Sequence, residues 1–157
     1  MMRYTFLPAV VFLLFVGCNK DKFTTAPQIT YKSLKPNVLS RNLPLTGQEI
    51  PILTLQVTDA QGDIGFRAGR DTAKLFIKNL LTNKTDSTLM LPDLSTVAGK
   101  NFQANIEITL RSSIILEGSS RPSPKTDTIY YEVYMKDFAK NKSNVIRTTD
   151  PVFVISK

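Results

Sequence analysis

Apolar and polar side chains alternate one by one along most of the chain. This period of two places successive side chains on opposite faces of a β-strand, one on a core and one toward water. The alternation predicts strands at residues 29–33, 53–58, 75–81, 102–110, 129–136 and 145–155. Segments rich in Asn, Asp, Gly, Ser and Pro separate them, as turns require. The pattern therefore predicts an all-β domain, and its spacing favours an immunoglobulin-like antiparallel β-sandwich of about seven strands.

The N-terminus has a different pattern. One basic residue, Arg3, precedes an uninterrupted apolar run at residues 6–17. The run is shorter than the ~20 residues of a membrane-spanning helix, and a short apolar stretch after a basic start is typical of a secretory signal peptide. We therefore divide the chain into a signal peptide at residues 1–17, a polar, flexible tether at residues 18–27 and a β-sandwich domain at residues 28–157.

The single cysteine of the chain is Cys18, which directly follows Gly17. One cysteine excludes an internal disulfide and a multi-thiolate zinc site. The run Phe15-Val16-Gly17-Cys18 resembles the bacterial lipoprotein box, in which the cysteine is acylated. The resemblance implies that Cys18 becomes the first residue of the mature chain and carries diacylglycerol and a fatty acyl group. Two or more acyl chains anchor a protein stably to a membrane.

Composition narrows the classes of function. The 157 residues include 20 Lys+Arg, 13 Asp+Glu, no His and no Trp, which gives a net charge of +7. Without His, and with Cys18 assigned to lipid, the usual nucleophile–base pairs cannot form, and we predict that the protein is not an enzyme. The positive charges are scattered. Because an exported protein meets no nucleic acid, we expect none as a partner.

Two loops at the ends of predicted strands carry candidate metal ligands. Asp59 and Asp63 lie in the first loop, and Asp137 and Asn141 lie in the second. In an immunoglobulin-like order the two preceding strands run in the same direction, so both loops emerge at one pole. Their carboxylate and amide oxygens suit Ca²⁺. The alternative is purely structural turns, since Asp, Asn and Gly are also the residues that close turns.

A second candidate site is the polar face of the predicted strand at residues 129–136. Tyr130 and Tyr134 share this face, with Glu132 between them. Exposed tyrosines are suited to stacking on a sugar or to contact with the edge of a protein. The alternative is that both rings pack against a neighbouring strand of the domain.

Three segments together resemble a known family. They are residues 18–25 followed by Pro27, the loop at residues 58–64 and the segment at residues 136–144. They resemble small outer-membrane lipoproteins of the Bacteroidetes type, a family with no established activity. The resemblance implies a lipid-anchored, immunoglobulin-like domain at the outer membrane, on its periplasmic or its cell-surface side.

The expected function is therefore that of a non-catalytic interaction or structural module of the cell envelope. Its expected partners are the membrane, through the lipid anchor, and an envelope protein or glycan. The alternative is a ligand-binding module that takes a glycan or depends on calcium. No cofactor is expected apart from the lipid on Cys18, with calcium as the candidate ion.

Overall fold

The computed structural model describes residues 22–41, 49–65, 72–87, 91 and 99–157. These residues form ten β-strands and no helix, so the prediction of an all-β domain is confirmed. Accordingly, no helix within the described ranges has the length and apolar character of a membrane span. The predicted signal peptide and Cys18 lie outside the described residues.

The strands, numbered in chain order, form three sheets. The first sheet has the antiparallel order β1-β3-β6, with β1 at Gln28–Lys35, β3 at Ile52–Asp59 and β6 at Phe102–Thr109. The second has the order β2-β10-β7, with β2 at Val38–Ser40, β10 at Val152–Ser156 and β7 at Lys125–Ile129. The third has the order β5-β4-β8-β9, with β5 at Thr85–Asp86, β4 at Lys74–Asn79, β8 at Tyr131–Lys136 and β9 at Ile146–Arg147.

The described residues contain ten strands rather than about seven, because two predicted strands are each divided and the short strands β2 and β5 lie where no strand is predicted. Pro36 follows β1 and Pro151 precedes β10, and a proline has no N–H to continue a sheet. Tyr130 alone separates β7 from β8, where the chain changes its partner from β10 to β4. The expectation of a purely antiparallel fold is also wrong at one edge, since β2 runs parallel to β10.

Side chains from all three sheets pack into one hydrophobic core. Every second residue of β3, β4 and β8 is buried, which is the alternation that the sequence predicts. The core includes Leu55 from the first sheet, Val154 from the second and Ile77 from the third. Each such side chain contributes roughly 1.5–3 kcal/mol when it is fully buried. The same alternation leaves the opposite face of each strand available for surface contacts.

The first strand is joined to the chain beyond β8 by the side chain of Asn144. The Ile29 N–H donates to Asn144 Oδ1 at 2.8 Å, and Asn144 Nδ2 donates to the Ile29 carbonyl at 2.9 Å. The Tyr31 hydroxyl donates to Asp150 Oδ2 at 2.6 Å. Burial and this hydrogen bond raise the pKa of Tyr31 to about 12. These contacts hold β1 against the connections that flank β9.

The domain has two ends, which we name by the course of the chain. The N-terminal pole is the end where β1 begins and where β3 and β8 finish. The C-terminal pole is the opposite end, where β7 begins and β10 finishes. Residues 22–27 lie at the N-terminal pole, where the Thr24 carbonyl accepts a hydrogen bond of 3.0 Å from the Ala60 N–H.

A buried carboxylate, Asp127, organises the C-terminal pole. It accepts hydrogen bonds from the Ser119 N–H at 3.1 Å and from the Ser119 hydroxyl at 2.5 Å. It also pairs with Arg121 at 3.1 Å and with Lys125 at 3.3 Å. Burial alone would raise the pKa of Asp127, but the hydrogen bonds from Ser119, Arg121 and Lys125 outweigh it and lower the pKa to about 2. Ionised Asp127 therefore holds the loop before β7 in place.

We expect Asp127→Asn to lower the free energy of unfolding by about 2 kcal/mol at neutral pH, because a pKa lowered from 3.8 to about 2 corresponds to that energy. A carboxyl group with a lowered pKa stabilises the fold above its unfolded pKa, and this contribution is lost as the pH falls through the folded value. Urea unfolding at about pH 7 and about pH 3 should give a smaller difference between variant and wild type at the lower pH. An equal difference at both would contradict this role.

Candidate functional site

The connection after β3 makes a tight turn at the N-terminal pole. The Gly62 N–H donates to Asp59 Oδ1, which closes the turn. Gly62 has a φ of 69°, and a Cβ at this position would collide with the backbone of Gly99, so glycine is required there. The chain continues into Asp63, whose carbonyl accepts a hydrogen bond of 3.0 Å from the Phe138 N–H. This bond joins the connection after β3 to the connection after β8.

The connection after β8 is organised around Asp137. The Asn141 N–H donates to Asp137 Oδ1 at 2.7 Å, and Asn141 Nδ2 donates to Asp137 Oδ2 at 2.8 Å. The Lys140 N–H donates to the Asp137 carbonyl at 3.1 Å, and Lys140 has a φ of 70°. The Asp137 carboxylate is therefore held in one orientation by its own loop.

The two connections bring three carboxylates together. One oxygen each from Asp59, Asp63 and Asp137 can be chosen so that all three lie within 4.8 Å of one another. Asp59 and Asp137 have 0% exposure, whereas Asp63 is half-buried. Asn141 joins the group through its bonds to Asp137. The four residues named as candidate calcium ligands from the sequence thus occupy one site, which we call the carboxylate cluster.

Two oxygens of the carboxylate cluster have no donor. Asp59 Oδ2 and Asp63 Oδ1 are buried without a hydrogen-bond partner in the part of the chain that the structure describes. Burial raises the pKa of Asp59; hydrogen bonds from the backbone of Gly62 and Gln61 oppose this, while the charges of Asp63 and Asp137 raise it further. An ionised Asp59 therefore costs free energy in the folded chain.

With a chelator present, we expect Asp59→Asn to stabilise the protein at neutral pH by about 1–3 kcal/mol, the cost of an unpaired buried polar atom. The amide can still accept from Gly62 and places a donor beside the remaining carboxylates. A carboxyl group whose pKa is raised by folding costs stability only while it is ionised, so the advantage should shrink as the pH falls toward 3.8. Urea unfolding at several pH values measures it. A variant less stable than wild type at neutral pH would contradict this account.

The second candidate site lies on the outer face of the third sheet. Phe76 of β4 and Tyr134 of β8 stack with their ring centroids 4.6 Å apart and their planes at 5°. The Lys142 Nζ lies 4.2 Å from the Tyr134 centroid, and the Lys136 Nζ lies 5.8 Å from the Phe76 centroid. Because Phe76 covers one face of the Tyr134 ring and Lys142 the other, that ring has no free face for stacking on a sugar.

Tyr130 makes a separate contact near β9. Its ring lies 5.0 Å from the guanidinium carbon of Arg147. Both tyrosines named from the sequence are partly buried, and each contacts a cation. Tyr134 thus packs against Phe76 of the neighbouring strand, and Tyr130 lies beside Arg147.

The sequence of a single strand does not show that these cations share one surface. Register pairs Lys74 with Lys136, Phe76 with Tyr134, and Lys78 with Glu132. Each strand shows only its own alternation in the sequence, and their pairing joins the charges into one patch. We define the basic aromatic face by six residues: Lys74, Phe76, Tyr134, Lys136, Lys142 and Arg147.

A cavity of about 580 Å³ opens at the C-terminal pole. Its charged groups are largely engaged: Lys84 and Glu117 pair at 2.7 Å, and Arg41 donates to the Leu116 carbonyl at 3.1 Å. It contains none of the candidate residues named from the sequence.

No family model, curated protein or solved structure matches the chain. Its function must therefore be inferred from its own residues.

Proposed function

We propose that the protein is a lipid-anchored protein of the bacterial outer membrane whose folded domain is a non-catalytic interaction module. The anchor is supported by Cys18, the single cysteine, which directly follows an apolar run. The lack of His supports a non-catalytic role, because the common nucleophile–base pairs need it. The interaction role rests on one observation, the basic aromatic face.

The proposal includes an immunoglobulin-like sandwich for the domain. The order β1-β3-β6 supplies one layer. The second and third sheets are joined through β7 and β8, which only Tyr130 separates, and together they would supply the other layer. Two layers of mainly antiparallel strands around one core are the arrangement of that architecture, and the parallel pair β2-β10 departs from it. In it, the basic aromatic face is turned away from the core toward a partner.

The charge of the basic aromatic face favours an acidic partner. It carries four cations, Lys74, Lys136, Lys142 and Arg147, and the adjoining Glu132 lies opposite Lys78 in the register. Surfaces of opposite charge attract each other during association and select against wrong partners. Because the Tyr134 ring is covered on both sides, stacking on a glycan is disfavoured here. We therefore propose an envelope protein with an acidic surface as the partner.

Charge reversal tests the partner. In the triple variant K136E/K142E/R147E we expect loss of captured envelope protein, because the complementary charge is inverted. Tagged chains are cross-linked in membranes, solubilised in detergent and purified, and the captured proteins are quantified by mass spectrometry. The matched control K32E/K35E/K100E changes three exposed lysines elsewhere on the domain by the same charge.

The control should capture the same proteins as wild type, and melting temperatures should show that both triple variants remain folded. The interaction role would be wrong if wild type recovered only its own chain. It would be wrong also if the folded face variant captured the same proteins at the wild-type level.

Removal of the anchor tests the proposed attachment. We expect Cys18→Ala to abolish labelling by radioactive palmitate and to move the protein from the detergent-rich to the aqueous phase of Triton X-114, because no acyl chain remains to partition into detergent. The melting temperature of the domain should stay unchanged, since residue 18 precedes it. A variant that stays in the detergent-rich phase would contradict lipid attachment through this cysteine.

A further inference from the structure

The carboxylate cluster contains buried oxygens that need a positive partner. Asp59 has 0% exposure, and its Oδ2 has no hydrogen-bond donor among the described residues. The neighbouring Asp63 Oδ1 is buried and unpartnered in the same way. Leaving a buried polar atom unpaired costs about 1–3 kcal/mol, and more for a charged group. The missing hydrogen bonds to these two oxygens are an observation independent of the short distances between the three carboxylates.

We propose that Asp59, Asp63 and Asp137 bind one Ca²⁺ ion at the N-terminal pole. A point between three oxygens that lie within 4.8 Å of one another is at most about 2.8 Å from each. Side-chain shifts of a few tenths of an ångström therefore bring all three to the Ca²⁺–oxygen bond length of about 2.3–2.6 Å. Mg²⁺ binds oxygen at about 2.0–2.1 Å and requires near-octahedral geometry, so it would need the carboxylates to be drawn closer. The partly exposed Asp63 leaves access for the waters that complete the shell.

The groups around the carboxylate cluster keep its ligands in position. Asn141 fixes the Asp137 carboxylate through two hydrogen bonds, and Gly62 fixes one oxygen of Asp59. Lys142, in the same connection as Asp137, has its ammonium group over the Tyr134 ring. Contacts such as those of Asn141 and Gly62 orient metal ligands before the metal arrives.

Calcium bound here would fasten three segments together. Asp59 and Asp63 belong to the connection after β3, Asp137 belongs to the connection after β8, and the neighbouring Ala60 bonds to Thr24 in the segment before β1. The ion would thus stabilise the pole from which the chain leads toward Cys18. This role goes beyond the proposed interaction with a protein partner, which concerns the basic aromatic face.

Thermal unfolding in the presence of calcium tests the site. The full chain is purified in detergent, treated with EDTA and titrated with CaCl₂ to about 10 mM. An ion that binds only the folded state raises the melting temperature, and for the affinities of extracellular calcium modules we expect a shift of roughly 4–10 °C. MgCl₂ should give a smaller shift.

Two variants should lose the response. Asp63→Asn removes a ligand whose side chain takes no part in closing the turn, and Asp59→Asn removes the buried unpartnered oxygen. The matched control is Asp127→Asn, which alters a buried aspartate at the opposite pole and should keep the full calcium shift. Calorimetric titration of the folded proteins with CaCl₂ gives a second measurement that does not depend on their starting stability.

The calcium site is wrong if wild type shows no shift and no binding heat up to about 10 mM, a range that covers known calcium modules. It is wrong also if Asp63→Asn responds like wild type. An equal response to MgCl₂ would overturn the assignment to calcium. Asp63 lies outside the basic aromatic face, so Asp63→Asn should keep partner capture at the wild-type level while it loses the calcium shift. Failure of this site is therefore distinguishable from failure of the proposed function.

Discussion

The packing of alternate side chains into one shared core is the constraint on which the rest of the structure depends. Each strand can contribute only every second residue to that core, so its remaining side chains are turned outward. Phe76 and Tyr134 are therefore directed outward because Ile77 and Val133 are directed inward. Where strands finish, the alternation stops, and the polar residues of the poles take conformations set by hydrogen bonds. The two candidate sites thus arise from the two places that the core leaves free.

The sequence predicts much of this fold because alternation is a local property. Leu53, Leu55 and Val57 are buried, as their shared parity predicts. The number of strands and the parallel pairing of β2 were not predictable in the same way. A proline in the sequence indicates where the hydrogen bonds between two strands stop, but it does not indicate which sheet the next segment joins. That choice depends on backbone pairing between residues far apart in the chain, here Val38 and Phe153.

The candidate sites were likewise predictable from the sequence only in part. Strand direction was enough to predict that the connections holding Asp59 and Asp137 share a pole. It could not predict that Asn141 engages both oxygens of Asp137 while Asp59 keeps an unpaired one, because hydrogen bonds depend on distances of tenths of an ångström. The stacking of Phe76 on Tyr134 likewise needs the register between β4 and β8.

The contact between Asn144 and Ile29 affects how copies of the chain can meet one another. β1 is an edge strand of the first sheet, and free N–H and C=O groups on such an edge invite strand addition by another chain. The Asn144 amide occupies both groups of Ile29, so that position cannot template a neighbour. Copies that the proposed lipid anchor held side by side on a membrane would meet at such edges far more often than in dilute solution. At this residue of β1, the side-chain amide of Asn144 takes the place that the backbone of an added strand would need.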